Sequence, residues 1–475
     1  MNDITVDVAI IGAGTAGLYA LREVRRAKKS FVLIDHGPLG TTCARVGCMP
    51  SKVALHSAEL WRSRQYFPDV GVSDSEHLSL DIDLAWANLR EQRDRFAGGA
   101  AQGAIRAGGE NLLMGSARFL EPGVLEVATE SGRKIIRAGA VVVATGSLPV
   151  VPKWLAGLGE RVITTEQLFE LETLPKSLAV LGLGAIGLEM GLALSRLGVK
   201  VIGAELAAAP AGISDPEIAA SVIARFSPEM EMWFGAPAQA RLVSDGVAIS
   251  SQGREVVVEQ VLAALGRRPN LDSLDFAAGG LELNDRGLPL FDPATLQAGN
   301  SRIFIVGDAN GDRPLMHEAA DEGAIAGFNA ARPALTRFHR RTPLAIAFTH
   351  PDIVTAGARF DSLDPEKLII GTARTEDTAR YRVLHGEGGL LRLYAEKTTG
   401  RLLGASIFAL EGEHLAHQLA WAIDMGITAQ RLLQMPFYHP VVEEALQSAL
   451  QDIVRKLPER SELPIGLAAE TSAPA

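Results

Sequence analysis

The stretch "VDVAIIGAGTAGLYALREVRRAKKSFVLID", residues 6–35, is one of two that decide the fold. It begins with an apolar strand pattern, turns at glycines, continues as an amphipathic helix and ends in a second strand that closes on an acid. The stretch "SLAVLGLGAIGLEMGLALSRLGVKVIGAE", residues 177–205, repeats this order. Each holds Gly-x-Gly-x-x-Gly with an acid 23 residues after the first glycine: Gly12, Gly14, Gly17 and Asp35, then Gly182, Gly184, Gly187 and Glu205.

The glycine spacing has a physical meaning in a strand–turn–helix unit. The first glycine permits a tight turn, the second lets the backbone approach a pyrophosphate, and the third lets the helix pack on the strand. The pyrophosphate then lies on free N–H groups at the helix N-terminus, and the acid accepts hydrogen bonds from ribose hydroxyls. The chain is therefore predicted to be an α/β protein with two Rossmann-type dinucleotide-binding domains.

Composition excludes several classes of partner. The net charge of −10 argues against nucleic acid, which requires clustered lysine and arginine. No apolar run reaches the 18 residues expected of a membrane span, and the N-terminus enters a strand without a visible signal peptide. We therefore expect a cytoplasmic protein with neither a nucleic-acid nor a membrane partner.

The organisation of the chain follows from where apolar strands and turns fall. The first dinucleotide domain is predicted for residues 1–149, and the second for 150–265. A return segment, 266–338, contains the strand "FIVGDA" and is expected to complete the first sheet. A C-terminal α+β domain is predicted for 339–458, and the Pro-, Ala- and Ser-rich tail, 459–475, is expected to be disordered.

Both cysteines of the chain lie in "TTCARVGCMPSK", residues 41–52. Five residues turn a regular helix by about 500°, so Cys43 and Cys48 cannot share one helix face, and a bridge between them needs distorted backbone at a helix start. Pro50 favours such a start, and a helix N-terminus together with the charge of Lys52 favours a thiolate. Two buried structural thiols are the alternative. No metal site is predicted, because no second cysteine pair would complete one.

The segment "GTTCARVGCMPSK" resembles the redox-active segment of class I flavoprotein disulfide reductases. The likeness continues in the same order through both glycine fingerprints, "VVVATGS", "GRRPN", "FIVGDA", "FTHPDI" and "YHPVVEEAL", from residue 5 to about 458. This resemblance implies FAD on the first fingerprint and NAD on the second. It also implies further cofactor contacts at Thr42, Lys52, Thr145, Gly146, Gly266, Gly307, Asp308, Met316 and His317.

The resemblance also assigns catalytic roles. Cys48 would lie against the flavin, Cys43 would exchange with the substrate, and Lys52 would pair with Glu189 beside the flavin ring. His439 and Glu444 match the family's base and the acid that orients it. Thiol–disulfide exchange needs a group that accepts and returns a proton near neutral pH, which suits histidine. Because this histidine reaches the cysteines of the other subunit in the family, a homodimer is expected.

Differences from other branches narrow the expected substrate. Extra terminal cysteines, typical of mercuric and thioredoxin reductases, are missing. The second fingerprint ends "VIGAELAAAP", an acid without arginine, which favours NAD over NADP. The dihydrolipoyl dehydrogenase branch fits best, with the dihydrolipoyl group carried on a partner protein. Two alternative functions stay open: an NADH-dependent reductase of another disulfide or electrophile, and a catalytically idle dinucleotide-binding interaction protein. Ala44–Arg45 and Tyr438 depart from the usual residues, and His350 is expected to be solvated at a strand end.

Overall fold

The computed structural model describes residues 3–386, 388–459 and 462–470. Within the first 149 residues a mixed sheet is flanked by helices. Its parallel strands run in the order β3-β2-β1-β6, and the antiparallel β5 and β4 extend it. The elements are β1 (Asp3–Ile11), α1 (Thr15–Arg26), β2 (Phe31–Asp35), α2 (Thr42–Val46), α3 (Cys48–Arg62), α4 (Ile82–Gly108), β3 (Leu112–Met114), β4 (Ser116–Glu121), β5 (Val124–Thr129), β6 (Gly132–Val143) and β7 (Ser147–Pro149).

Close backbone packing explains why glycines occupy the turn between β1 and α1. Gly12 has φ +109°, and a Cβ there would lie 2.2 Å from the Ala144 carbonyl oxygen. A Cβ on Gly17 would lie 1.8 Å from the Gly12 carbonyl oxygen. Since real Cβ atoms do not approach so closely, only glycine fits, and the helix can begin directly after the strand.

A second parallel sheet follows, in the order β11-β10-β9-β15-β8, with the antiparallel β12-β13-β14 sheet beside it. The elements are α5 (Lys153–Ala156), β8 (Val162–Ile163), α6 (Thr165–Leu168), β9 (Ser177–Leu181), α7 (Ala185–Arg196), β10 (Lys200–Glu205), α8 (Pro216–Phe226), β11 (Glu231–Phe234), β12 (Gln239–Val243), β13 (Gly246–Ser251), β14 (Arg254–Val258) and β15 (Gln260–Ala263).

The chain then returns to the first sheet. Strand β16 (Arg267–Pro269) pairs with β7, and β17 (Ile303–Ile305) pairs in parallel with β6. Helix α9 (Met316–Ala330) lies so close to α1 that a Cβ on Gly323 would be 2.1 Å from the Ala16 carbonyl oxygen. The return segment predicted from the sequence therefore takes part in the first sheet, while its stated limits stay predictions.

The C-terminal part is an antiparallel sheet of order β18-β19-β22-β21-β20, covered by helices. Its elements are β18 (Leu344–Ala347), β19 (Asp352–Gly357), β20 (Leu368–Arg374), α10 (Ala379–Val383), β21 (Leu390–Glu396), β22 (Leu402–Ala409), α11 (Gly412–Asp424), α12 (Ala429–Leu433) and α13 (Glu443–Lys456). A buried apolar cluster joins this sheet to α11, α12 and α13. The predicted fold class, two Rossmann-type units and a C-terminal α+β unit, is confirmed.

Residues 462–470 contain neither helix nor strand, and Gly466 lies against Leu433. Residues 460–461 and 471–475 lie outside the described residues, so the disordered tail stays a prediction. Within the described part of the chain, none of the helices has the length and apolar character needed to span a bilayer.

Candidate active site

The two cysteines lie on either side of a break between two helices. Cys43 is on α2, Gly47 has non-helical backbone angles of φ −128° and ψ −117°, and Cys48 begins α3. Both cysteines are free thiols, and their side chains share a hydrogen bond. The backbone distortion expected from the five-residue spacing is therefore present at Gly47, and it allows the sulfurs to approach each other.

The two thiols are unequal acids. The hydrogen bond with Cys43 and, to a smaller extent, the positive charge of Lys52 lower the pKa of Cys48 to about 7, against an opposing effect of burial. The same hydrogen bond, with burial, raises the pKa of Cys43. The pair therefore loses one proton near neutral pH, and the thiolate forms on Cys48 with Cys43 as hydrogen-bond donor.

Lys52 and Glu189 form an ion pair, as the resemblance implies. Lys52 Nζ donates to Glu189 Oε1 at 2.9 Å and to Oε2 at 2.8 Å. The Lys52 side chain is 33% exposed, whereas that of Glu189 is 6% exposed. Phe348 N also donates to Glu189 Oε1, at 2.9 Å. The pair therefore joins α3, α7 and the residue after β18, which belong to three different parts of the chain.

A cavity of about 1300 Å³ opens beside the cysteines. Its volume exceeds the roughly 300–1000 Å³ of a typical small-ligand site and suits a dinucleotide. Predicted site residues that line it are Gly14, Thr42, Cys43, Cys48, Lys52, Gly146, Glu189, Gly307, Asp308, Met316 and His317. Predicted residues outside its lining are Gly12, Gly17, Asp35, Thr145, Gly182, Gly184, Gly187, Glu205, Gly266, His439 and Glu444.

The two fingerprint acids hold their glycine turns in the same way. Asp35 Oδ2 accepts a hydrogen bond from Ala13 N at 2.7 Å, and Glu205 Oε2 accepts one from Leu183 N at 2.7 Å. Among the residues that the structure describes, no side chain caps the N-terminus of α1 or of α7, so their first N–H groups can bind a phosphate. Both turns therefore have the geometry that the sequence predicts for a dinucleotide.

Further observations support the fit of the two dinucleotides. Apart from its chain neighbours and its own helix backbone, a Cβ built on Gly14 or on Gly184 would meet no atom of the described residues within 4 Å, so open space lies where a pyrophosphate would approach. Among the described residues, the buried Thr145 Oγ1 has no hydrogen-bond partner. A buried hydroxyl without a partner is unfavourable, and a ligand atom would satisfy it.

A buried polar network around Asp308 was missed by sequence reasoning. Ser147 Oγ donates to Asp308 Oδ2 at 2.6 Å, and Arg267 Nε donates to Ser147 Oγ at 2.8 Å. Glu322, which is fully buried, accepts from Gly307 N and from Asn310 Nδ2, both at 2.7 Å. These contacts fix the turn that carries Asp308. Glu322 is one of three acids on the alanine-rich α9, and its sequence does not distinguish Glu322 from Glu318 and Asp321.

His439 and Glu444 form the expected pair. The distance from His439 Nδ1 to Glu444 Oε1 is 2.9 Å, and Glu444 Oε2 also accepts from Val441 N. The hydrogen bond with His439 lowers the pKa of Glu444, which therefore stays charged. The His439 side chain is 74% exposed, and within one chain it stands apart from the cavity lining.

The His350 side chain, which was expected to be solvated, is 45% exposed, and the residue also makes contacts with two helices. Its Nε2 lies 3.2 Å from Glu59 Oε1, and its main-chain oxygen accepts from Arg196 at 3.0 Å. The hydrogen bond with His350 lowers the pKa of Glu59, although burial opposes this shift more strongly than any single partner favours it. His350 is thus part of an ion-pair cluster between α3 and α7, because the two helix ends meet there.

Comparison with known proteins defines the class. The chain matches the pyridine nucleotide-disulphide oxidoreductase family over residues 6–323, and the dimerisation domain of that family over residues 344–450. The chain therefore belongs to the pyridine nucleotide-disulphide oxidoreductases. Members use FAD and NAD(H), so FAD and NAD are its cofactors. The dimerisation domain indicates a homodimer.

Curated relatives of this chain share a name that is more specific than the family name. A protein named dihydrolipoyl dehydrogenase 3 from Haloarcula marismortui is 27% identical over 474 residues, covering 96% of this chain and 98% of the relative. Dihydrolipoyl dehydrogenases of Bacillus subtilis (26%; 94% and 96% covered) and Halobacterium salinarum (29%; 94% and 95%) are also similar.

Solved structures share the fold. The flavoprotein disulfide reductase RclA of Escherichia coli, in a Cu(II) complex, has a TM-score of 0.83 at 22% identity, with 95% of this chain and 99% of that chain covered. LpdA of Mycobacterium tuberculosis has a TM-score of 0.81 at 23% identity, with 94% and 99% covered. These structures show the fold alone, and it is the family match over residues 6–323 that confirms the predicted family and cofactors.

Proposed function

We propose that this flavoprotein is a dihydrolipoyl dehydrogenase. In the overall reaction a dihydrolipoyl dithiol and NAD+ give the cyclic lipoyl disulfide, NADH and a proton. The observation that carries the proposal is the unequal thiol pair beside the Lys52–Glu189 ion pair in the wall of a dinucleotide-sized cavity. FAD, when bound there, supplies two-electron transfer between the thiols and NAD.

The residues of the chain carry the thiol chemistry. In the oxidised enzyme Cys43 and Cys48 form a disulfide, and a substrate thiolate attacks the Cys43 sulfur. The S–S bond breaks and its electron pair leaves on Cys48, whose low pKa makes it the better leaving group. The second substrate thiolate then attacks the sulfur bonded to Cys43. This step releases the lipoyl disulfide and leaves both protein sulfurs reduced.

Proton transfer is the role of His439. Glu444 accepts a hydrogen bond from Nδ1–H of His439, which leaves Nε2 free to take a proton from the substrate thiol. Because His439 is exposed and lies outside its own cavity lining, we propose that it serves the cysteines of the other subunit in the homodimer.

Two observations support NAD and a lipoyl substrate. Glu205 closes the second fingerprint with a carboxylate, which would repel a 2′-phosphate and accept ribose hydroxyls. The curated relatives named above are called dihydrolipoyl dehydrogenases, and they match nearly the whole chain. We propose that the lipoyl group arrives on a partner protein.

Steady-state rates test the proposal. Purified protein is assayed with dihydrolipoamide and NAD+, and separately with NADH and a panel of disulfides and electrophiles. A kcat/KM for dihydrolipoamide at least tenfold above that for any NADH-driven acceptor supports the proposal. The reverse order makes the chain a reductase of another acceptor. Tight FAD and NADH binding without turnover on any thiol makes it an interaction protein.

A matched pair of cysteine variants tests the assignment of the two sulfurs. With the flavin oxidised, the wild type after reduction of its disulfide and the Cys43→Ser variant as purified should both show a long-wavelength thiolate–flavin absorbance band, and Cys48→Ser should not, because the thiolate forms on Cys48. Both variants should lose dihydrolipoamide turnover. A band that survives in Cys48→Ser and is lost in Cys43→Ser would reverse the assigned roles.

A further inference from the structure

Phe348 makes two contacts with the ion pair at the redox centre. Its main-chain N–H donates to Glu189 Oε1 at 2.9 Å. The centroid of its ring lies 4.6 Å from Lys52 Nζ, so the ammonium faces the negative face of the ring. Phe348 follows β18 directly, whereas Lys52 is on α3 and Glu189 on α7.

The two contacts of Phe348 act on different members of the ion pair. Glu189 is nearly buried, and the amide of Phe348 gives one carboxylate oxygen a second donor, which fixes the orientation of the carboxylate. Lys52 has a flexible four-carbon stem and is one-third exposed, so water competes for its ammonium. The ring face supplies an attraction that water cannot replace at that side.

We propose that Phe348 is a positioning residue, which holds the Lys52–Glu189 pair beside Cys48 and so couples the C-terminal unit to the reactivity of the redox pair. The inference rests on the proposed function for the role of Cys48, but its geometry does not depend on which thiol is the substrate. Sequence reasoning assigned no role to Phe348.

The position of Lys52 has a measurable consequence. Its charge favours the Cys48 thiolate, whereas the charge of Glu189 opposes it. If the ring face is removed, the ammonium spends less time near Cys48, and the pKa of Cys48 rises. A cation–π contact at a partly exposed site corresponds to a shift of about half a pK unit, or about a threefold lower thiolate fraction below pH 7.

Tryptic digestion separates the two cysteines, so the reactivity of each thiol can be measured independently. Trypsin cleaves after Arg45 and Lys52, so Cys48 falls in the peptide "VGCMPSK" while Cys43 falls in the preceding peptide. The reduced protein is alkylated with iodoacetamide from pH 5 to 9, and each peptide is quantified by mass spectrometry. The variants are Phe348→Leu and protein carrying mono- or trifluorinated phenylalanine at position 348, which keeps the ring shape but weakens its negative face.

Phe360→Leu is the matched control. Phe360 is a half-buried ring of the same C-terminal unit, and its centroid lies 6.0 Å from the Arg392 guanidinium carbon. The proposal expects the apparent pKa of Cys48 to rise by about half a unit in Phe348→Leu, stepwise with fluorination, and not in Phe360→Leu.

An unchanged Cys48 profile in the fluorinated series overturns the proposal, and so does an equal shift in Phe360→Leu. If Phe348→Leu does not fold, the fluorinated series decides alone. Alkylation needs no thiol substrate, so the two proposals fail separately. A shift without dihydrolipoamide turnover refutes only the proposed function, and turnover without a shift refutes only the role of Phe348.

Discussion

Asp215 is expected to be one of the most sensitive positions for stability. Its side chain is fully buried, and Oδ2 accepts from Arg392 Nε and from the Tyr394 hydroxyl, both at 2.7 Å. Oδ1 accepts from Glu217 N at 3.0 Å and caps α8. Burial raises the pKa of Tyr394, so its hydroxyl stays protonated and donates. One carboxylate thus joins the NAD-binding unit to the C-terminal sheet.

The substitution Asp215→Asn separates the charge from the cap. Asparagine is a good N-cap, so that contribution survives. Of its two carboxylate partners among the described residues, the Arg392 guanidinium, 7% exposed, would keep Glu217, which is 55% exposed. Removing one partner of a buried ion pair costs about 3–5 kcal/mol. Asp215→Ala also loses the cap and should cost about 1 kcal/mol more.

Urea unfolding of the FAD-loaded protein, followed by tryptophan fluorescence, measures these changes. Asp361→Asn is the control, because its pair with Arg359 has both side chains more than half exposed and should contribute less than about 1 kcal/mol. In the double variant with Arg392→Met the buried charge is gone, so the two losses should not add, with a coupling of about 1–3 kcal/mol. A loss below about 1 kcal/mol in Asp215→Asn, or strict additivity, would refute the reasoning.

Three other outcomes are expected. Burial raises the pKa of Asp352 to about 6, so its contribution to stability is present below pH 4 and lost as pH rises to 6. The substitution Asp352→Asn should therefore raise the melting temperature at pH 8 but not at pH 4. An equal change in melting temperature at both pH values would contradict this expectation. Glu189→Gln should lower the pKa of Cys48 below about 7, seen as faster alkylation at pH 6, while unfolding becomes about 1–2 kcal/mol easier because Lys52 is partly exposed. Gly17→Ala should yield little folded protein because its Cβ would lie 1.8 Å from a carbonyl oxygen, whereas Gly14→Ala should fold but bind FAD at least tenfold more weakly in a fluorescence titration.

The features that could be predicted from the sequence are those that depend on the spacing of residues within one stretch of chain. A Cβ at Gly12 or Gly17 would collide with backbone, so the turn leaves a glycine pattern that can be read in one stretch of chain. The break at Gly47 is similar, since a five-residue spacing cannot place both sulfurs on one regular helix face. Lys52 and Glu189 are 137 residues apart, and only the family resemblance paired them.

The missed features depend on contacts between distant parts of the chain. His350 was expected to be solvated at a strand end, and although its side chain is 45% exposed, its contact with Glu59 on α3 was not predicted. Glu322 holds the Gly307 turn from a helix 15 residues away, and Asp215 meets Arg392 across 177 residues. The partners in these pairs are far apart in sequence, so no periodic pattern within a short segment of the sequence could indicate them.

The contacts of Glu189 bear on how the redox centre is built. The carboxylate receives Lys52 from the first unit and Phe348 from the C-terminal unit, while its own helix belongs to the second. Each unit alone would lack at least one of these groups, and a nearly buried carboxylate without its donors is unfavourable. The environment of Cys48 is therefore complete only when all three units are folded and packed together. Because His439 is proposed to come from the second subunit, thiol–disulfide exchange assisted by this base would occur only in the assembled homodimer.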